Sequence, residues 1–154
     1  MAPPLIDMAD DHGHTLLELV AALAIAALLA AVVVPGAASV DGRLAVDADA
    51  HRFVQELRRA QARAAATGEP VRVELADGGA AFLLTDEATA ARLGGGRFGG
   101  PTCSTNYPGG ALEFSPSGWP CAVGGAPRAG TFTFSYAGVT RSVVLQLGGR
   151  VRVS

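Results

Sequence analysis

The feature that most constrains this chain is an apolar run near its beginning. Residues 15–34 are 20 residues long, and Glu18 is the single ionisable side chain among them. As a helix, such a run is about 30 Å long, enough to cross the hydrocarbon core of a bilayer. Pro35 follows it, and a proline after an apolar helix either ends or kinks that helix. The pattern predicts a membrane-spanning helix over residues 14–35 with a bend near Pro35.

A second helical pattern follows this run but is apolar on one face only. Arginines and Glu56 occupy another face, and Glu56 is placed to pair with neighbours three and four residues away. The sequence Thr67-Gly68-Glu69-Pro70 ends the pattern. We therefore expect one long helix over about residues 14–66, amphipathic over 36–68. Its apolar stripe is predicted to contain Val40, Leu44, Phe53, Val54, Leu57, Ala60 and Ala64.

After Pro70 the pattern changes to short alternating or apolar runs separated by glycine-containing turns, which is typical of an antiparallel sheet. This part is too short to bury a core alone, so we expect it to pack on the helix. The predicted fold is α+β: a long amino-terminal helix on a β-sandwich-like head over 69–154. The glycine-rich segment 88–110 is predicted to be a surface loop, and the low aromatic content predicts a small aliphatic core. The candidate strands are 71–75, 81–84, 111–114, 131–136, 142–147 and 150–153.

Charge is distributed unevenly along the chain. Residues 1–87 contain 13 acids and six arginines, whereas residues 88–154 contain one acid, Glu113, and six arginines. The second part therefore carries a net charge of +5, which favours an anionic partner. The alternative is that these arginines only solvate a glycine-rich surface.

Three interpretations compete for residues 1–40. A secretory signal peptide would begin with a basic segment and end at small residues such as Gly36-Ala37-Ala38, releasing a soluble periplasmic binding domain. Residues 1–13, however, contain three aspartates and no basic residue. A plain membrane anchor has no use for Glu18, which costs about 2.5–3.5 kcal/mol at a helix centre.

The third interpretation accounts for the acid. The sequence Gly13-His14-Thr15-Leu16-Leu17-Glu18-Leu19 resembles the prepilin motif of type IV pilins and type II secretion pseudopilins, with His14 where the family usually has Phe. The resemblance implies that residues 1–13 are a leader, that prepilin peptidase cuts between Gly13 and His14, and that His14 is N-methylated. It also implies that Glu18 pairs with the amino terminus of a neighbouring subunit in a filament, and that Pro35 kinks the helix. The head would then face the periplasm from a single-pass inner-membrane anchor.

Two further segments narrow the family. Residues 53–75 and the closing Val143-Val144-Leu145-Gln146-Leu147-Gly148-Gly149-Arg150-Val151-Arg152-Val153 resemble the GspH/FimT family. That resemblance implies a minor pilin or pseudopilin of a type IV pilus or a type II secretion pseudopilus. Its partners would be other pilins or pseudopilins. The chain would need no cofactor and no metal, and it would not be an enzyme.

The tail Gly149-Arg150-Val151-Arg152 resembles a Gly-Arg-x-Arg motif of FimT-type minor pilins used in DNA uptake, which implies DNA contacts by Arg150 and Arg152. In a strand, these two side chains lie on the same side about 7 Å apart, similar to the spacing of phosphates along one strand. The function implied is DNA capture during natural transformation. The alternative is an ordinary edge strand with one solvated face.

Two cysteines and one glycine-rich motif complete the candidates. In an oxidising compartment, Cys103 and Cys121 are expected to form a disulfide contributing about 3 kcal/mol, with two free thiols as the alternative. Residues 94–99 formally match Gly-x-Gly-x-x-Gly, but they do not link a strand to a helix, so we interpret them as a flexible loop. No residue pattern supports catalysis or metal binding.

Overall fold

The computed structural model describes the backbone of residues 16–154 and the side chains of residues 16–31 and 40–154. The chain divides into two compact units, Met1–Ala37 and Ala38–Ser154. The single helix α1, Leu16–Thr67, contributes to both units. From here on, we call the whole second unit, Ala38–Ser154, the head. It contains all nine strands found among the described residues.

The carboxyl-terminal end of α1 is set by Gly68. Gly68 has a φ of 72°, a left-handed conformation that glycine adopts without steric cost, and its N–H donates to the Ala64 carbonyl at 3.0 Å. Thr67 Oγ1 donates to the Arg63 carbonyl at 2.9 Å in the same turn. The predicted helix end is therefore confirmed to within a residue.

The head contains two antiparallel sheets. The first has five strands in the order β3-β2-β1-β5-β6, and the second has four in the order β4-β7-β8-β9. The predicted α+β fold, a long helix packed on two antiparallel sheets, is confirmed. The strands are β1 Val71–Ala76, β2 Ala81–Asp86, β3 Arg92–Arg97, β4 Thr102–Thr105, β5 Ala111–Phe114, β6 Pro120–Ala122, β7 Gly130–Tyr136, β8 Val139–Leu145 and β9 Val151–Val153.

One face of α1 forms the helical side of the core. Its buried residues recur every three or four positions, as an amphipathic helix requires. The prediction is correct from Phe53 onward but wrong for Val40 and Leu44, which are 54% and 63% exposed. The buried stripe of apolar side chains begins instead at Val46; before it, Gly42 is a buried position, close to Ala137 and Val139 at the β7–β8 hairpin. The buried members of the stripe are Val46, Ala50, Phe53, Val54, Leu57, Ala60 and Ala64.

The expectation of a small aliphatic core was wrong. All six phenylalanines of the chain are buried in the head. The ring centroid of Phe53 on α1 lies 5.2 Å from the ring centroid of Phe82 on β2. It lies 5.0 Å from the ring centroid of Phe132 and 5.6 Å from that of Phe134, both on β7. Phe53 therefore contacts both sheets. A composition averaged over the whole chain conceals this, since residues 1–52 contain no aromatic residue.

The segment predicted as a surface loop contains strands β3 and β4, and residues 94–97 of the predicted flexible loop belong to β3. The glycines permit close packing: a Cβ on Gly95 would lie 2.5 Å from the Phe82 carbonyl oxygen. A Cβ on Gly96 would lie 2.2 Å from the Arg52 guanidinium. Phe98, which follows β3, is buried in the core. Glycine is therefore required at position 95, where the backbone of β3 closely approaches that of β2.

Candidate assembly helix and carboxyl-terminal arginine surface

The first part of α1 presents apolar side chains to its surroundings. Every described side chain from Leu16 to Ala31 is exposed, and the large ones are distributed around the whole helix. Burying one leucine away from water contributes about 1.5–3 kcal/mol, so this surface strongly favours an apolar environment or neighbouring helices. The exposed large residues are Leu16, Leu17, Leu19, Val20, Leu23, Ile25, Leu28 and Leu29.

Glu18 lies in the first described turn of α1, among these leucines, and its side chain is exposed. The predicted cleavage and methylation site, Gly13 and His14, lies outside the described residues. So does the side chain of Pro35 and any bend there, although the backbone of α1 continues through position 35. Among the side chains described, no helical segment is both long and apolar enough to cross a membrane. The span 14–35 extends beyond them and stays a prediction.

The predicted DNA contacts lie at the other end of the chain. Strand β9 begins at Val151, one residue later than predicted. Its partner among the described strands is β8, so β9 is an edge strand of the four-stranded sheet. Arg150 precedes β9, and the Gln146 N–H donates to its carbonyl at 2.9 Å. Exposure alternates through the tail: Arg150 and Arg152 are exposed while Val151 is buried. Both arginine side chains are therefore accessible to a ligand.

Other arginines of this part of the chain are already paired. Arg97 forms an ion pair with Asp77, and Arg141 Nε lies 2.6 Å from Asp47 on α1. The hydrogen bond from Arg141 lowers the pKa of Asp47 below its ordinary value. Within residues 16–31 and 40–154, the side chains of Arg150 and Arg152 have no hydrogen-bond or ion-pair partner, so both guanidinium groups are open to a ligand.

Gln61 on α1 fixes the position of this tail, and sequence reasoning did not identify it. Its Nε2 donates to the carbonyl of Gly149 at 3.1 Å and to that of Gly118 at 2.8 Å. Gly149 has a φ of 78°, and a Cβ there would lie 2.7 Å from the Gly118 carbonyl oxygen. The glycine that precedes the two arginines is therefore required both for its conformation and for its space. No local sequence signal connects residues so distant in the chain.

The two cysteines are free thiols in this structure, which differs from the predicted disulfide. Cys103 lies on β4 of the four-stranded sheet and Cys121 on β6 of the five-stranded sheet, and both are buried and free. The predicted disulfide is therefore not formed in this structure, which shows the alternative of two free thiols. Burial raises the pKa of Cys103 to about 12 and also raises that of Cys121. Both groups are thus protonated at neutral pH and weakly nucleophilic.

Comparison with known proteins decides the family. The sequence pattern of "Type II transport protein GspH" matches residues 49–149, which is more than half of the chain. This chain belongs to the GspH family. The pattern of the prokaryotic N-terminal methylation motif matches residues 8–34 of the same chain. Comparison with curated protein sequences gave no significant match.

Solved structures support the fold of this GspH-family chain. The type IV minor pilin FimU of Pseudomonas aeruginosa is 18% identical with a TM-score of 0.62, over 73% of this chain and 90% of FimU. The minor pseudopilin EpsH from the Type 2 Secretion System of Vibrio cholerae is 15% identical with a TM-score of 0.56, over 71% of this chain and 95% of EpsH. At such identities the similarity establishes the pilin-like fold and leaves the choice of machine open. The recognition of a GspH/FimT-type protein from its sequence is confirmed.

Proposed function

We propose that this GspH-family chain is a minor pilin or pseudopilin that assembles through its amino-terminal helix into a type IV pilus or a type II secretion pseudopilus. The observation that carries this proposal is the helix surface of residues 16–31, where leucines on all sides surround one carboxylate. Membership of the GspH family and the methylation-motif match support it. The role is structural and not catalytic.

The proposed mechanism begins in the inner membrane, with the head in the periplasm. Prepilin peptidase removes residues 1–13, and His14 becomes a methylated amino terminus. A carboxylate such as Glu18 is costly in lipid unless an opposite charge neutralises it. The amino terminus of a neighbouring subunit supplies that charge when helices pack, so pairing selects helices in the correct axial position. The exposed leucines stabilise the packing between the helices of neighbouring subunits, and Glu18 determines their axial alignment.

Replacing Glu18 by Ala is expected to reduce the amount of the protein in sheared filaments at least tenfold, because the neighbouring amino terminus loses its partner. The measurement is immunoblotting of filament and membrane fractions from cells that contain the assembly machine. Glu74→Ala, which removes an exposed acid of the head, is the charge-matched control and should assemble normally. Intact-mass measurement of the wild-type protein should give a chain that begins at His14. A chain beginning at Met1 or Ser39, or normal assembly of Glu18→Ala, would contradict the proposal.

A second candidate function is DNA capture by the head during natural transformation. The observation that favours it is the pair Arg150 and Arg152, whose side chains are exposed and have no hydrogen-bond or ion-pair partner in the described part of the chain. The only acid of residues 88–154, Glu113, accepts a hydrogen bond from the Gly124 N–H at 3.3 Å. Arginine side chains of this kind contact DNA phosphates, so binding would be independent of the DNA sequence and strongly dependent on salt concentration.

The double variant Arg150→Ala, Arg152→Ala is expected to bind duplex DNA roughly tenfold more weakly at low salt. Its plot of log K against log salt should be shallower by about 2, since two phosphate contacts are lost. Fluorescence anisotropy of the full chain in a non-ionic detergent measures both quantities. Arg58→Ala, Arg59→Ala removes the same charge from α1 and serves as the control. If both double variants behave alike, net charge and not a DNA site explains the binding.

A further inference from the structure

The head has an apolar pocket beside the arginine tail. We call it the Trp119 pocket; it has a volume of about 370 Å³ and is lined by Trp119, Pro127, Leu147 and Gly148. Trp119 and Leu147 are 51% and 54% exposed, although both could contribute more to stability if buried. The volume lies within the range of small-molecule sites. An indole left half in solvent on a well-packed head is available to a ligand.

Hydrogen bonds hold the walls of the Trp119 pocket in place. Trp119 closes the turn between β5 and β6, where the Ser115 N–H donates to the Trp119 carbonyl at 3.0 Å. Leu147 lies in the turn between β8 and β9, closed by the Gly149 N–H donating to Gln146 at 2.9 Å. Gln61 binds both turns through one amide nitrogen. The indole is therefore presented by a constrained frame rather than by a free loop.

Two of the residues that line the pocket are close in the sequence to an arginine. Pro127 is followed by Arg128, and Gly148-Gly149 is followed by Arg150. The backbones of Gly118 and Gly149 are in contact, and Trp119 and Arg150 are the residues that directly follow them. None of the four lining residues is charged. The Arg128 guanidinium donates to the Asn106 carbonyl at 3.3 Å, so Arg150 is the cation next to the pocket in the chain that has no side-chain partner among the described residues. An apolar site that a cation follows in the chain fits a ligand that has a flat apolar group next to an anionic group.

From this arrangement we infer that the Trp119 pocket receives a base of single-stranded DNA. The base stacks on the indole of Trp119, while Arg150 and Arg152 bind phosphates of the same strand. Stacking on aromatic side chains next to a basic groove is the general way in which proteins bind single strands. A duplex keeps its bases stacked inside and offers only phosphates. The inference rests on the second proposed function, DNA capture, and adds the form of DNA that is bound.

Trp119 is the only tryptophan of the chain, so its fluorescence reports on the pocket alone. Full-length protein in a non-ionic detergent is titrated with an oligothymidylate, with an abasic strand of the same length and with a duplex. The oligothymidylate should quench the fluorescence, and the other two should not. By anisotropy, Trp119→Ala should bind the oligothymidylate about tenfold more weakly and the other two ligands unchanged. Trp119→Phe should retain most of the affinity, and Tyr136→Ala, which removes another exposed aromatic, should match the wild type.

The outcomes separate this inference from the function on which it rests. If the wild type binds no DNA at low salt, DNA capture fails and the inference fails with it. If Arg150→Ala, Arg152→Ala loses binding while Trp119→Ala binds all three ligands normally, DNA capture stands and the base site is overturned. Equal quenching by the duplex would also overturn it. Quenching by a partner pilin subunit but not by the oligothymidylate would identify the pocket as a protein contact instead.

Discussion

Replacing Phe53 by Ala is expected to destabilise the head by about 3–5 kcal/mol, the range for removing a buried phenylalanine ring. Phe53 is fully buried, and its ring contacts Phe82 and Phe98 as well as two phenylalanines of β7. The cavity would lie where α1 meets both sheets, so neither sheet could close it alone. Since domains of this size have total stabilities of about 5–15 kcal/mol, the loss is a large part of the whole.

Chemical denaturation followed by far-ultraviolet circular dichroism measures this loss, and thermal unfolding should show a lower Tm by roughly 10 °C or more. Leu44→Ala is the control, because Leu44 lies on the same helix but is exposed; its effect should stay within about 0.5 kcal/mol. A loss below about 1 kcal/mol for Phe53→Ala would show that the ring is not the centre of the core.

The second large effect is expected from Gly79→Ala in the connection between β1 and β2. Gly79 has a φ of 90°, and a Cβ there would lie 2.1 Å from the carbonyl oxygen of Cys103 on β4. That oxygen belongs to the backbone and cannot move without displacing the strand. The expected loss combines the strain of a left-handed alanine, about 1–2 kcal/mol, with about 1–3 kcal/mol for overpacking.

The adjacent Gly78 provides a matched control. It also has a positive φ, 65°, but a Cβ there would meet nothing within 4 Å. Gly78→Ala should therefore show the backbone strain alone, and the difference between the two variants isolates the contact between the β1–β2 connection and β4. Equal stabilities of the two variants, measured by urea denaturation, would mean that β4 moves aside freely and that the two sheets are not held together there.

The helix and most strands could be predicted because their signals are local. The period of the apolar residues from Phe53 to Ala64 and the glycine at position 68 determine the helix face and its end. Strand β3 could not be predicted in this way, since Gly94, Gly95 and Gly96 carry no hydrophobic pattern. The positions of Gly95 and Gly96 are accounted for only by the three-dimensional contacts with Phe82 and Arg52. The position of β8 was displaced because Ala137 and Gly138, both with positive φ, form a tighter turn than expected.

The candidate sites divide along the same line. The alternating exposure of Arg150, Val151 and Arg152 follows from the two-residue period of an extended chain, so it was predictable; a shared face for the two arginines stays a prediction. Gln61 binds Gly118, the residue before Trp119, and Gly149, the residue before Arg150, and these partners lie 57 and 88 residues away in the sequence. Contacts over such separations depend on how the two sheets pack on the helix. No periodicity in the sequence encodes them.

The short length of β9 affects how readily the head aggregates at high concentration. An edge strand exposes unpaired backbone groups that can pair with strands of other molecules when many copies are close together. Here the edge is three residues long, and its middle side chain is Arg152. A strand from a second molecule would gain few hydrogen bonds and would have to accommodate a guanidinium. Arg152 and the short length of β9 thus oppose aggregation of the head through this edge.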